Sequence, residues 1–137
     1  MKLVKTVYLK APRAHVWKFL VEAERLAFWF HRGEQDVVAG GEWAVVSNSS
    51  GKEGQRIVWG RVHVFDPPTR LVHTFAHYRM GEAETTCIWE LEEVDGGTIL
   101  TLTHEGLENI RDGAFALASD LDKGWDEHFA RLRRVAS

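Results

Sequence analysis

The side chains of this 137-residue chain that could hold a ligand or move a proton are few: seven histidines, one cysteine and scattered carboxylates. His104 raises the first question, because it ends the alternating stretch "TILTLTHE" and is followed by Glu105. A histidine there could anchor a polar group of a ligand, or act as a general acid or base with a pKa close to working pH. Equally, it could be a turn residue bonded to backbone. The only other acid–base partners on offer are Glu42 and Arg56, whose orientation stays open. No catalytic residue is assigned.

His73, His77, His104, His128 and Cys87 are of metal-ligating type, but no CxxC or HExxH spacing joins them. His73 and His77 would lie about 13 Å apart along one strand face. A native metal site is therefore not expected. Cys87 falls in an apolar run, where burial raises a thiol pKa and leaves it inert as a nucleophile. The pairs in "GGEW" and "DGGT" are hairpin turns, so no glycine-rich phosphate loop is present and no cofactor is expected.

The elements that must position these groups follow from hydrophobic period. Residues 3–10 alternate as a strand, with Leu3, Val7 and Leu9 on one face. Ala11-Pro12 changes the period, and Val16, Phe19, Leu20, Ala23, Ala27 and Phe30 follow at helical spacing, which predicts two short helices. From residue 35 to about 105 the chain is strand and turn. Gly40-Gly41 separates "QDVVA" from "EWAVVS", "NSSGKEG" is a loop, Asp66-Pro67-Pro68 closes a long strand, and Asp95-Gly96-Gly97 marks a hairpin. Counting the first, seven strands are expected, antiparallel because the connections are too short for crossovers. After "GLENIRDG" a long amphipathic helix places Phe115, Ala118, Leu121, Trp125, Phe129 and Leu132 on one stripe, with Lys123, Glu127 and Arg131 free to pair at four-residue spacing. Such a sheet cannot bury its inner face alone, and only the last helix is long enough to cover it.

Period two assigns the inward face. Cys87, Trp89 and Leu91 share one side of their strand, and Leu100, Leu102 and His104 share one side of the next. Trp43 and Val45, and Leu71, His73 and Phe75, join them by the same rule, while Trp125 and Phe129 face them from the helix. The strand at 57–65 is apolar on both faces, so its register stays open; Val62 is taken as inward. Trp43, Val45, Val62, His73, Phe75, Cys87, Trp89, Leu102, His104, Trp125 and Phe129 are thus the candidate ligand-binding residues. Gly124, directly before Trp125, costs a helix roughly 0.8–1 kcal/mol relative to alanine. Its expected purpose is close approach of a strand or loop, with solvent exposure as the alternative.

The order of elements, the turn "GRVHVFDPPTRLVHTF" from Gly60 to Phe75, the strand end "TILTLTHEGL" from Thr98 to Leu107, and "GWDEHFARL" from Gly124 to Leu132 together resemble the START-related SRPBCC superfamily. Within it the chain is similar to the family named for the activator of heat shock protein 90 ATPase, in its standalone form. The resemblance covers essentially the whole chain. It implies an α+β helix-grip fold: a curved seven-stranded antiparallel sheet wrapped around a long C-terminal helix, two short helices after the first strand, and a deep apolar cavity between sheet and helix. It also places a histidine at the position of His104 in members of differing function, which favours the structural reading of that residue.

The expected function is binding of a small hydrophobic, aromatic or amphipathic ligand in that cavity by one domain spanning residues 1–137, with six tryptophans as core filler or pocket wall. An enzyme is the alternative, because superfamily relatives include polyketide cyclases and dehydratases. A chaperone-activating module is the third reading; the sequence shows no separate N-terminal domain such activators carry, so a chaperone partner is not expected. A homodimer is possible through an edge strand or an aromatic such as Trp59. Net charge is −3 and basic residues cluster only at Arg131, Arg133 and Arg134, which argues against nucleic acid. No run reaches the ~20 apolar residues of a membrane span, no apolar leader opens the chain, and one cysteine allows no internal disulfide, so a cytoplasmic protein is expected.

Overall fold

In the computed structural model, which describes residues 1–49 and 51–137, the first strand β1 (Lys2–Leu9) alternates as its sequence does: Val7 and Leu9 are buried, while Val4, Thr6 and Tyr8 are exposed. Pro12 then caps α1 (Arg13–Val21), and α2 (Ala23–Leu26) follows after one extended residue, Glu22. The strands are β2 (Arg32–Gly33), β3 (Glu42–Val46), β4 (Arg56–Asp66), β5 (Arg70–His77), β6 (Thr85–Val94) and β7 (Gly97–Glu105). Single 3-10 turns at Tyr78–Met80 and Leu107–Asn109 lead into β6 and towards α3 (Ala114–Ala136).

All seven strands form one curved antiparallel sheet in the order β1-β7-β6-β5-β4-β3-β2. Consecutive hairpins account for β2 to β7. The remaining connection, through α1 and α2, carries the chain from the β1 edge to the opposite edge, and both helices lie over the concave side with α3. The seven-stranded expectation holds, with one member changed. "QDVVA" is not a strand: its Val37 is buried and donates its N–H to the carbonyl of Val21 at 2.8 Å, so the segment packs against α1, and the two-residue β2 pairs with β3 instead. Of the "NSSGKEG" loop, Ser50 lies outside the described residues.

The ambiguity in β4 has a physical cause. A bulge between Val62 and Val64 shifts the phase of the strand, so that Val58 and Val62 point inward before it and Phe65, packed edge-on to Trp17, does so after it. Nearby, Gly60 is required by packing: a Cβ there would sit 2.1 Å from the carbonyl oxygen of Thr74 and 2.6 Å from Nε1 of Trp43. The missing side chain is what allows Trp43 Nε1–H to donate to Thr74 O at 2.9 Å.

At 23 residues α3 spans roughly 35 Å, and it buries Leu117, Ala118, Trp125, Phe129, Leu132 and Ala136. It lies closest to β1, where Lys5 Nζ meets both Asp122 and Asp126, residues one turn apart. Two expectations about this helix are corrected. Phe115 is 81% exposed: it lies about 80° to one side of Trp125, whereas Leu117, buried, lies about as far to the other, so the buried stripe at this end of the helix runs on the side away from Phe115. Gly124 makes no close approach, since an added Cβ would meet nothing within 4 Å. It points about 100° away from Trp125, into open space beside the helix. Nor do Lys123, Glu127 and Arg131 form ion pairs with one another among the described residues; Arg131 Nε–H donates to the carbonyl of Trp29 at 3.2 Å instead.

Candidate functional site

Strand register brings the chemistry-bearing residues of the inner face into one row. His73 of β5 is opposite Cys87 of β6, which is opposite His104 of β7; Val62 extends the row on the β4 side. The next row sets Leu71, Trp89 and Leu102 side by side. Above these rows α3 stands off from β5 and β6, and the gap is spanned by rings. Trp125 lies 5.6 Å from Trp89, 6.0 Å from Phe75 and 6.0 Å from Phe129 between ring centroids. Trp43 reaches His73 at 4.3 Å, and Phe75 reaches His104 at 4.6 Å. Seven of the expected site residues, Trp43, His73, Phe75, Trp89, His104, Trp125 and Phe129, therefore form one connected aromatic cluster. Cys87, Leu102 and Val62 form its floor, and Val45, opposite Val58, is buried nearer the far edge.

Each histidine is held in one tautomer by its partners. Thr85 Oγ1 gives its single proton to Phe75 O at 2.9 Å, so at 2.7 Å it accepts from Nε2–H of His104. Nδ1 of His104 is then the acceptor for Trp125 Nε1–H at 3.1 Å. His73 is arranged the other way round: Nδ1–H donates to Thr74 O at 2.9 Å, and Nε2 accepts from Trp89 Nε1–H at 2.9 Å. Burial holds both rings neutral. It pushes His73 down to about 4, against a small opposing pull from the Thr74 carbonyl, and His104 down to about 3, with His73 adding to the effect. Burial likewise pushes the Cys87 thiol well up, as expected of an inert residue. Although a histidine, a cysteine and a histidine are adjacent in one row, all four imidazole nitrogens are engaged.

The cavity is much smaller than the resemblance implies. The void beside Trp29, Trp43, Trp89, Trp125 and His73 measures about 20 Å³, space for one water. Larger hollows are open grooves on the outside, one of about 680 Å³ between residues 78–83 and 109–112, away from the aromatic cluster. What fills the interior is partly what sequence reading passed over. Trp29 is 1% exposed, donates Nε1–H to Phe19 O at 2.9 Å, and packs edge-on to Trp89 at 6.0 Å. It lies past the end of α2, where no period operates. Thr85 was within reach, because it shares the two-residue period of Cys87 and Trp89.

Trp125 is sealed from solvent by a half-buried group, stacking on Phe30 at 5.4 Å and 17° and meeting His128 edge-on at 5.8 Å. His31 stands 5.5 Å from His128. Burial and the neighbouring Arg131 push His128 down to about 4 and lower His31. The other acid–base candidates face elsewhere. Glu105 and Glu42 are exposed, and Arg56 is held by Glu34 at 2.6 Å on the surface.

A curved sheet gripping a long C-terminal helix across an aromatic interior is the helix-grip arrangement of the START-related SRPBCC proteins. The chain belongs to the family described as Activator of Hsp90 ATPase homolog 1-like protein, which it matches over residues 10–137. Its fold is similar to that of a protein from Mesorhizobium loti, with a TM-score of 0.81 at 15% identity over 98% of this chain and 95% of the other. It is similar also to CalU16 from Micromonospora echinospora, at 0.74 and 21% over 96% of this chain and 73% of that one. An HSP90 activator from Plasmodium falciparum matches at 0.75 and 20%, over 95% and 91%. No curated protein matches the sequence.

Proposed function

We propose that this chain binds a small, flat, apolar or amphipathic molecule between its sheet and α3, in place of part of the aromatic filling, and performs no chemistry on it. One observation carries the reading: opposite β5 and β6 the helix is joined to the sheet by side-chain rings, and among these the indole N–H groups of Trp89 and Trp125 end on histidines. A ligand with similar rings can replace such a side chain without unpairing any backbone group. The void of about 20 Å³ holds one water at most, so a ligand enters only by displacing part of the filling. Against catalysis stand the neutral, fully bonded histidines and the absence, among the described residues, of a buried carboxylate beside them.

The test is native mass spectrometry of gently purified protein, together with thermal shift against a panel of one- to three-ring apolar compounds. A co-purifying small molecule, or a reproducible rise in Tm with part of the panel, is the expected result. Absence of both would end the reading. The family's description and the name of the Plasmodium protein make chaperone ATPase stimulation the second reading, to be measured directly with purified chaperone. We extend the proposal to a homodimer, since a structural neighbour from Colwellia psychrerythraea is described as a dimer and Val4 and Tyr8 expose 53% and 67% of their surface along edge strand β1. Trp59, half-buried on interior strand β4, offers less free surface for such a contact. Light scattering on the purified chain decides the oligomeric state.

A further inference from the structure

The interior offers a ligand an acceptor and no donor. Both proton positions of the buried histidines are committed to fixed partners: Nε2–H of His104 to Thr85 Oγ1, whose own proton is held by Phe75 O, and Nδ1–H of His73 to Thr74 O. What remains on each ring is a bare nitrogen, and each of these takes an indole N–H. The burial that lowers both pKa values also prevents a cationic ring from forming near neutral pH.

Of the two indoles, Trp125 is the one placed to leave. Trp89 sits mid-sheet on β6, enclosed by Trp29, His73 and Phe129. Trp125 instead lies at the boundary of the interior, against the half-buried Phe30 and His128. Both indoles line the small void.

Resting on the binding function proposed above, we infer that the ligand is a neutral aromatic carrying a ring N–H or O–H, of the phenol or indole class, that displaces Trp125 and donates its hydrogen bond to Nδ1 of His104. A ring without a donor leaves that nitrogen buried and unpaired, and a carboxylate brings acceptors to a place that supplies none. A site built around one buried hydrogen bond rejects analogues that lack it far more strongly than a purely apolar pocket does.

The experiment titrates the full chain with 2-naphthol, 2-methoxynaphthalene and 2-naphthoate, by calorimetry and by the indole 15N–1H signals, with that of Trp125 assigned from Trp125→Phe. The expected result is 2-naphthol binding tenfold or more tightly than either analogue, with the Trp125 signal moving. In Trp125→Phe the vacated acceptor should raise 2-naphthol affinity further. In His104→Phe, which removes the acceptor, the preference over 2-methoxynaphthalene should vanish, and in Thr85→Val, where the tautomer of His104 is released, it should shrink; the second variant keeps the test available if the first fails to fold. Equal affinities, or tighter binding of 2-naphthoate, would overturn the inference while leaving apolar binding intact. Failure of all three probes and of the wider apolar panel would remove the binding function itself.

Discussion

Lowering the pH from 7 to 5 should remove about 4 kcal/mol from the folding free energy, because His73 and His104 are buried neutral and must stay so while the chain is folded. In the unfolded chain each takes up a proton near its ordinary pKa of about 6.5, so at pH 5 the charged form outweighs the neutral one by roughly 30 to 1. In the folded chain protonation waits until about 4 for His73 and about 3 for His104. RT times the logarithm of 30 is about 2 kcal/mol per ring, against almost nothing at pH 7. The unfolded state thus binds more protons than the folded state throughout this window, so stability falls as pH falls through 6.5 and levels off only below the folded pKa values. His128, pushed down to about 4, adds to the slope. Glu34 and Glu108, held low by Arg56 and the amino terminus, release their contribution below about 4.5 and so do not confuse the reading above pH 5. Urea unfolding followed by tryptophan fluorescence at pH 7, 6 and 5 measures it. A stability constant to within about 0.5 kcal/mol between pH 7 and 5 would refute the buried, neutral state of both rings, given that the whole folding free energy of such a domain is about 5–15 kcal/mol.

Three further outcomes follow from single contacts. Gly124→Ala should stabilise the chain by about 0.5–1 kcal/mol in the same urea assay, since the position is helical and an added methyl meets nothing within 4 Å. Gly60→Ala should cost several times that and broaden or lose the folded indole signals, because its Cβ would fall 2.1 Å from Thr74 O, a backbone atom that cannot step aside. Cys87, 0% exposed and with its pKa raised, should resist a thiol reagent at pH 8 under native conditions and react only on unfolding; rapid native labelling would show that the interior opens freely.

Strand faces were legible because the side-chain period of a strand is two: alternation alone places His73, Phe75, Cys87, Trp89, Leu102 and His104 together, whatever the twist. Helical phase is less forgiving. Phe115 fits a stripe counted by threes and fours, yet sits about 80° from Trp125 on the side away from buried Leu117, and Gly124 carries no side chain by which a face could be judged. The bulge at Val62 hid the register of β4, since an inserted residue leaves no mark in a run that is apolar on both faces. Trp29 escaped for a different reason: it belongs to the irregular stretch after α2, and only the tertiary structure shows it wedged against Trp89. Whether the space under α3 stands empty or full was likewise beyond periodicity, because it depends on which way the indoles turn.

That the space is full has an energetic consequence for any ligand. Expelling Trp125 exposes a ring that buries about 150–250 Å², a loss of roughly 4–6 kcal/mol at 25 cal/mol per Å². A two-ring ligand recovers about the same amount by taking its place, so the apolar terms nearly cancel. What is left to distinguish one ligand from another is the hydrogen bond at His104 and the fit against Phe30, Trp89 and Phe129. A filled interior of this kind discriminates by the polar atom and the outline of the ligand, while greasiness alone adds little. Affinity should therefore rise when the plug is weakened, as in Trp125→Phe, and selectivity should fall when Thr85 no longer holds the proton of His104 in place.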